Sequence, residues 1–192
     1  WYQSMSLRYI SYFDNVLPKE LCDAIIDKFE NDTVNQKKTV LENHRSFTEI
    51  NLTQHPEWKL VQDQLHHGIQ NALPHYIQDW SIDKQMMFPD NYGWEQFRMK
   101  RYLPKEDEFR FHVDVQDYAS ARRFLVAFYY LNDVEEGGET AFQSNRTMGI
   151  EFKVQPKAGR LIFFPPMWTY PHIGLMPISG AKYIVGTYLH YV

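Results

Sequence analysis

Phe109-Arg110-Phe111-His112-Val113-Asp114-Val115 alternates strictly, with Phe111, Val113 and Val115 on one side and Arg110, His112 and Asp114 on the other. A period of two predicts a strand over 109–115. On a strand, residues two apart share a face, so His112 and Asp114 point the same way. One imidazole and one carboxylate at that spacing are two thirds of a 2-His-1-carboxylate facial triad. Such a triad holds non-haem Fe(II) and leaves coordination positions open. His-x-Asp alone is a weak motif, so the remainder of the chain decides its meaning.

The 192 residues suit one domain with a sizeable core. A hydrophobic share of 44% and an aromatic share of 16% argue for a folded, ring-packed protein and against disorder. The net charge of -4 argues against nucleic-acid binding, which needs a clustered basic surface. The one cysteine, Cys22, excludes an internal disulfide and a cysteine-based zinc site; set in an apolar helical pattern, it reads as a buried thiol. No run approaches ~18 apolar residues, so no membrane span is expected. No secretory leader pattern opens the chain, and a cytoplasmic protein is the expectation. Residues 1–5 read as an expression-tag remnant before a native Met5, leaving 6–192 as a single domain. Oligomeric state is not legible.

Residues 6–13 read as a short aromatic strand. Pro18 opens a helix with Leu21, Ile25, Ile26 and Phe29 on one face. Residues 31–42 are polar and read as a loop, followed by a strand around Phe47, Ile50 and Leu52. Helical spacing runs over 56–80, with Pro74 expected to kink or break it. Beyond Asp90 the texture becomes strand-like, over 94–102, 109–115, 124–131, 149–154, 160–164 and 182–191. Helices first and many short strands afterwards predict an α+β, mainly β chain: helices layered on a β-sandwich or barrel.

Most of the eight histidines have ordinary settings. His66 and His67 are adjacent on the long helix and face different ways. His172 differs, because it follows the aromatic and proline-rich run Phe163-Phe164-Pro165-Pro166-Met167-Trp168-Thr169-Tyr170-Pro171. Ten residues later Lys182 heads a strand whose face it shares with Ile184, Gly186 and Tyr188. A cation among apolar residues is costly unless it meets an anion; the other reading is a lysine at a solvated strand end.

Taken together, these stretches resemble the prolyl 4-hydroxylase branch of the Fe(II)- and 2-oxoglutarate-dependent dioxygenases. The motifs that carry the resemblance are His112-Val113-Asp114, Tyr130-Leu131-Asn132-Asp133, Gly137-Gly138-Glu139-Thr140-Ala141-Phe142, and His172 with Lys182 ten residues on. They stand in the family order over 102–188, nearly half the chain. The resemblance implies a double-stranded β-helix, or jelly roll, with N-terminal helices packed on one sheet. It implies that His112, Asp114 and His172 bind Fe(II), and that 2-oxoglutarate and O2 take the open positions. Lys182 is then the partner of the distal carboxylate of 2-oxoglutarate, with Tyr102 and Thr140 hydrogen-bonding to it. Ascorbate enters as a reductant. The activity implied is hydroxylation of a C–H bond, on a peptidyl proline, coupled to decarboxylation of 2-oxoglutarate to succinate and CO2. Asp114 argues against the halogenating relatives, which lack that carboxylate.

On the substrate side the resemblance points to Arg123, which stands seven residues before the Tyr of Tyr-Leu. Phe109 stands where several members have Tyr, and Tyr188 where they have Trp. Core packing is the other reading of Phe109 and Tyr188. Trp168 and Tyr170, flanking His172, are candidates for a substrate groove, against the alternative of core or rim. The run 105–108 reads as a solvated loop. These departures put proline in question, so a free amino acid, another protein side chain or a small metabolite stays open as the target, as does a non-catalytic jelly-roll binding module. A peptide or protein substrate is the expected partner, with neither nucleic acid nor membrane.

Overall fold

Period-two burial in the second half of the chain builds two cores on opposite faces of one curled sheet. The structure, a computed structural model, describes residues 6–192; the tag-like stretch 1–5 lies outside the described residues. In chain order the elements are β1 (Ser6–Leu7), β2 (Ile10–Phe13), α1 (Lys19–Asn31), β3 (Lys37–Leu41), β4 (Arg45–Asn51), α2 (Lys59–Asp79), β5 (Tyr92–Trp94), β6 (Arg98–Tyr102), β7 (Phe109–His112), β8 (Arg123–Tyr130), β9 (Thr140–Gln143), β10 (Ile150–Val154), β11 (Arg160–Phe164), β12 (His172–Gly174) and β13 (Lys182–Tyr191).

The strands pair antiparallel in the order β1-β2-β11-β8-β13-β6-β4-β7-β12-β9-β10, with β3 added on β4 and β5 on β13. On β8, Leu125, Ala127 and Tyr129 join one core, while Val126 and Tyr130 join the other. On β11, Leu161 and Phe163 separate in the same way from Ile162 and Phe164. The first core is closed by the helices, through Cys22, Ile25 and Phe29 of α1 and Leu65, Ile69, Ala72 and Tyr76 of α2. The second is closed by the far end of the same strand path, through Phe142 of β9 and Val154 of β10. The path therefore folds back over its own middle. It turns the corner where β4 meets β7 through the single register pair Arg45↔Phe109. This is the jelly roll with helices on one sheet, as expected.

Several local readings are corrected. The strand at 109–115 stops at His112, and Asp114 lies beyond it. Phe111 is exposed, so the apolar side of that stretch faces no core. The polar segment 31–42 contains β3, an exposed edge strand paired along its whole length with β4. Polarity marks solvent there, not the absence of a ladder. Helix α2 runs through Pro74 unbroken. Pro74 and Gln70, whose carbonyl loses its helical partner, both lie on the solvent face, where water can satisfy that oxygen. The 94–102 strand divides into β5 and β6, while β9 and β12 are too short to give a periodic signal. Asp107, in the run read as solvated, is fully buried, accepting from Lys38 Nζ at 2.7 Å, from Ser46 Oγ and from the Leu103 N–H at 3.0 Å. Among the described residues no helix is long and apolar enough to cross a membrane.

Candidate functional site

Sheet register, not sequence proximity, joins the two histidines. His172 opens β12 directly opposite His112 at the end of β7, so the two imidazoles leave the same face with ring centroids 4.2 Å apart. Asp114 reaches them from the turn after β7. Its N–H bonds to the Pro166 carbonyl at 3.1 Å, and its own carbonyl accepts from Arg123 Nη1 at 2.8 Å. His112 Nε2 then lies 3.8 Å from Asp114 Oδ1 and His172 Nε2 3.5 Å from Oδ2. The three ligand atoms fall within 4.8 Å of one another.

The surroundings prepare this cluster for a cation. His112 Nδ1 bonds to the Arg110 carbonyl at 2.7 Å and His172 Nδ1 to the Tyr170 carbonyl at 3.1 Å. A carbonyl can only accept, so each Nδ1 carries a proton, and Nε2 is the ring atom that each histidine turns toward Asp114. Burial, with the neighbouring His172, pushes His112 down to about 3, which keeps the imidazole neutral as a ligand requires. Tyr188 donates to Asp114 Oδ1 at 2.7 Å, whereas Oδ2 is buried without a hydrogen-bond partner among the described residues. An orphaned carboxylate oxygen is costly. Two histidine Nε2 atoms converging beside it fit a divalent iron, and we take that as the physical reason for the arrangement.

Lys182 lies on the same side of the sheet. It is 2% exposed, which rules out the solvated strand end. Its ammonium donates to the Gly138 carbonyl at 3.0 Å and stands 4.6 Å over the Tyr102 ring, with no carboxylate within ion-pair distance among the described residues. Burial pulls it down to about 7, against a smaller upward pull from Glu139. The Gly137-Gly138 pair serves this contact. Both have φ near +75°, and a side chain at Gly137 would strike the Met176 carbonyl, so only glycine lets the chain present that oxygen to the lysine. Gly174 shares a face with His172, two residues along β12, and a Cβ there would come within 3.5 Å of Lys182 Nζ. The lysine head therefore sits ~7 Å along the strand from His172, a span that a five-carbon dicarboxylate bridges. Thr140, register partner of Gly174, accepts from Tyr130 at 2.5 Å, leaving its own hydroxyl proton free to donate. Tyr130 was not singled out from sequence; its strand-end motif gave it only as a family marker.

Residues 97–190 match the family model of the 2OG-Fe(II) oxygenase superfamily. That stretch, just under half of the chain, is an oxygenase domain of that superfamily. An oxygenase of this class is an enzyme that uses Fe(II), 2-oxoglutarate and O2. Three solved structures resemble the oxygenase over nearly its whole length. One is the viral collagen prolyl hydroxylase of Paramecium Bursaria Chlorella virus-1 in complex with 2OG: 24% identity, 96% of this chain and 97% of that one, TM-score 0.66. Another is a Pseudomonas putida prolyl-4-hydroxylase: 20% identity, 95% and 92% covered, TM-score 0.65. The third is a Trichoplax adhaerens prolyl hydroxylase in complex with a hypoxia inducible factor peptide fragment: 15% identity, 94% and 83% covered, TM-score 0.73. At these identities the likeness concerns the fold. No curated protein matches the oxygenase in sequence.

The substrate-side candidates divide. Phe109 stacks on the His112 ring at 3.6 Å and 6°. Arg123 is held by Glu95 at 2.9 and 3.0 Å, by the Asp114 carbonyl, and over the Tyr188 ring at 4.1 Å. Phe109, Arg123 and Tyr188 thus brace the oxygenase's triad. They also line an open cavity of about 730 Å3 in front of it. Trp168 does not line that cavity and is 71% exposed, on the loop before His172. Lys182, Tyr102 and Thr140 are likewise outside the lining. The register pair Lys100↔Ile184 borders the cavity, and Tyr102↔Lys182 is the next inward-facing pair along the same ladder.

Proposed function

We propose that this oxygenase hydroxylates a peptidyl proline. His112, Asp114 and His172 hold iron, and Lys182 receives the distal carboxylate of 2-oxoglutarate, assisted by Tyr102 and Thr140. When bound, the iron and 2-oxoglutarate supply the oxidising chemistry, releasing succinate and CO2 and leaving a hydroxyl on the substrate carbon. The chain's own residues orient and exclude. The Arg110 and Tyr170 carbonyls fix both imidazole tautomers. Tyr188 holds one oxygen of Asp114, so the other is left for the metal. Phe109 covers the His112 ring on one face, and Phe164 packs edge-on to His172 at 4.9 Å, keeping water from the ligands.

The buried, partnerless Oδ2 of Asp114 beside the Nε2 atoms of the two histidines carries the metal assignment. Support for proline comes from the three similar folds, all of them prolyl hydroxylases, one seen with a peptide. Residues 6–192 act as one unit in this reading. Incubating the iron-loaded protein with proline peptides and with amino-acid pools, then locating a +16 Da product by mass spectrometry, tests it. Oxygen on a peptidyl proline supports the assignment. Oxygen only on a free amino acid or another side chain overturns the proline reading and leaves the oxygenase chemistry in place.

A further inference from the structure

The cavity before the triad is lined by five Lys or Arg side chains and three Asp or Glu. Each acid is accounted for: Glu95 by Arg123, Asp117 by Ser120, and Asp114 by Tyr188 and, in the reading above, the metal. Three of the cations have no anion among the described residues; Arg122 is exposed to solvent, whereas Lys100 and Arg45 are partly buried. Lys100, on β6, makes no hydrogen bond or ion pair through its side chain among the described residues; its ammonium rests 4.5 Å from the Phe47 ring and 5.6 Å from the Phe109 ring. Glu49, its register partner, is given over to Arg98 at 3.1 Å. Arg45, on β4, has its guanidinium 5.6 Å from that same Phe109 ring and leaves a buried Nε without a partner. Burial disfavours the charged form of Lys100, with Glu49 and Asp114 pulling the other way.

Both cations therefore converge on Phe109, the ring stacked on His112. Two partly desolvated cations beside an empty volume are unfavourable until an anion arrives. Each carboxylate of 2-oxoglutarate already has a place in the reading above, one at the metal and one at Lys182. We propose that Lys100 and Arg45 form a carboxylate subsite for the substrate, so that the preferred peptide carries an aspartate or glutamate, or a free C-terminus, close to the residue oxidised. The inference rests on the proposed function and narrows it to acidic peptides. Arginine gives the carboxylate a two-pronged partner, and lysine adds a point charge.

The test is calorimetry under anaerobic conditions on the protein loaded with Fe(II) and 2-oxoglutarate. The probes are end-blocked peptides in four forms, Asp with Pro, Asn with Pro, Asp with Ala and Asn with Ala, with the acid scanned over three positions on either side. A fifth form has the Asn with Pro sequence and a free C-terminus. At one position at least, the carboxylate should tighten binding about tenfold or more, and Lys100→Met or Arg45→Gln should abolish that gain. The 2-oxoglutarate affinity of these variants should stay within about twofold of the parent. A gain only with the free C-terminus identifies the terminal carboxylate as the ligand and supports the subsite. No gain in the parent protein overturns it. Weakened 2-oxoglutarate binding with the peptide gain intact assigns the cations to the cosubstrate and also overturns it. Indifference to Pro against Ala, with the acid effect present, fails the proline reading alone. Arg45 stands on a different strand from Lys100, so a folding defect in one variant leaves the other to decide.

Discussion

Replacing Lys182 by Met should raise the stability of the protein while nearly abolishing cosubstrate binding. Lys182 is buried with one carbonyl and one ring face for company. Its value of about 7 against an ordinary 10.5 corresponds to roughly 5 kcal/mol of burial cost to the charged form. The sign follows from proton counting. Below pH 7 folded and unfolded chains both hold the proton, and the cost is fully present. Between about 7 and 10.5 only the unfolded chain holds it, so stability rises with pH across that window. A Met of similar length removes both cost and slope, and stability near pH 7 should increase by roughly 1–4 kcal/mol. A carboxylate delivered to Lys182 restores the ammonium, so at pH 8 binding of 2-oxoglutarate should take up close to one proton. Losing that partner costs about 3–5 kcal/mol, a factor of roughly 150 to 5,000 in the dissociation constant. Calorimetry in buffers of different ionisation enthalpy measures both quantities, and denaturant unfolding measures stability. Unchanged affinity in Lys182→Met together with no proton uptake in the parent would refute the cosubstrate role.

Tyr188→Phe deletes the hydrogen bond to Asp114 Oδ1, and should weaken Fe(II) binding about 10–100-fold in a chelator competition while leaving the unfolding midpoint nearly unchanged. Gly174→Val fills the space between Lys182 Nζ and Phe109, so 2-oxoglutarate binding should fall at least about tenfold while iron binding persists; equal loss of both would mean the backbone moved instead. For Asp107, burial pushes its carboxyl up but is outweighed by bonds from Leu103, Lys38 and Ser46, so it lies below the ordinary range. Its contribution to stability is present above pH ~4 and lost as pH falls through the lowered value; Asp107→Asn should therefore show a flatter acid limb in stability against pH.

The fold was legible where burial is two-sided or strictly alternating. The strand at 182–191 was read to its last residue, because Lys182, Ile184 and Tyr188 alternate against Val185 and Leu189 between two cores. The strands at 140–143 and 172–174 were not, since four and three residues hold too few periods, and their positions follow from pairing with each other. The triad itself was legible through the spacing His112-x-Asp114 and through the resemblance, yet for a partly mistaken reason. Asp114 meets His112 from a turn held by Pro166 and Arg123, not from a continuing strand. Lys100 and Arg45 gave no local signal. They are ordinary basic residues in polar strands, and their lack of partners exists only once Glu49 is seen to bond Arg98. Arg123 was legible as a residue of the site, but sequence cannot show that Glu95, 28 positions upstream, holds its guanidinium.

Anaerobic titration of the Fe(II)-loaded protein with 2-oxoglutarate, followed through its weak visible charge-transfer band, tests the central claim most directly. The account predicts a saturable band in the parent protein and none in His172→Ala. A band of full intensity in His172→Ala, or no band from a parent shown to hold iron, would contradict it.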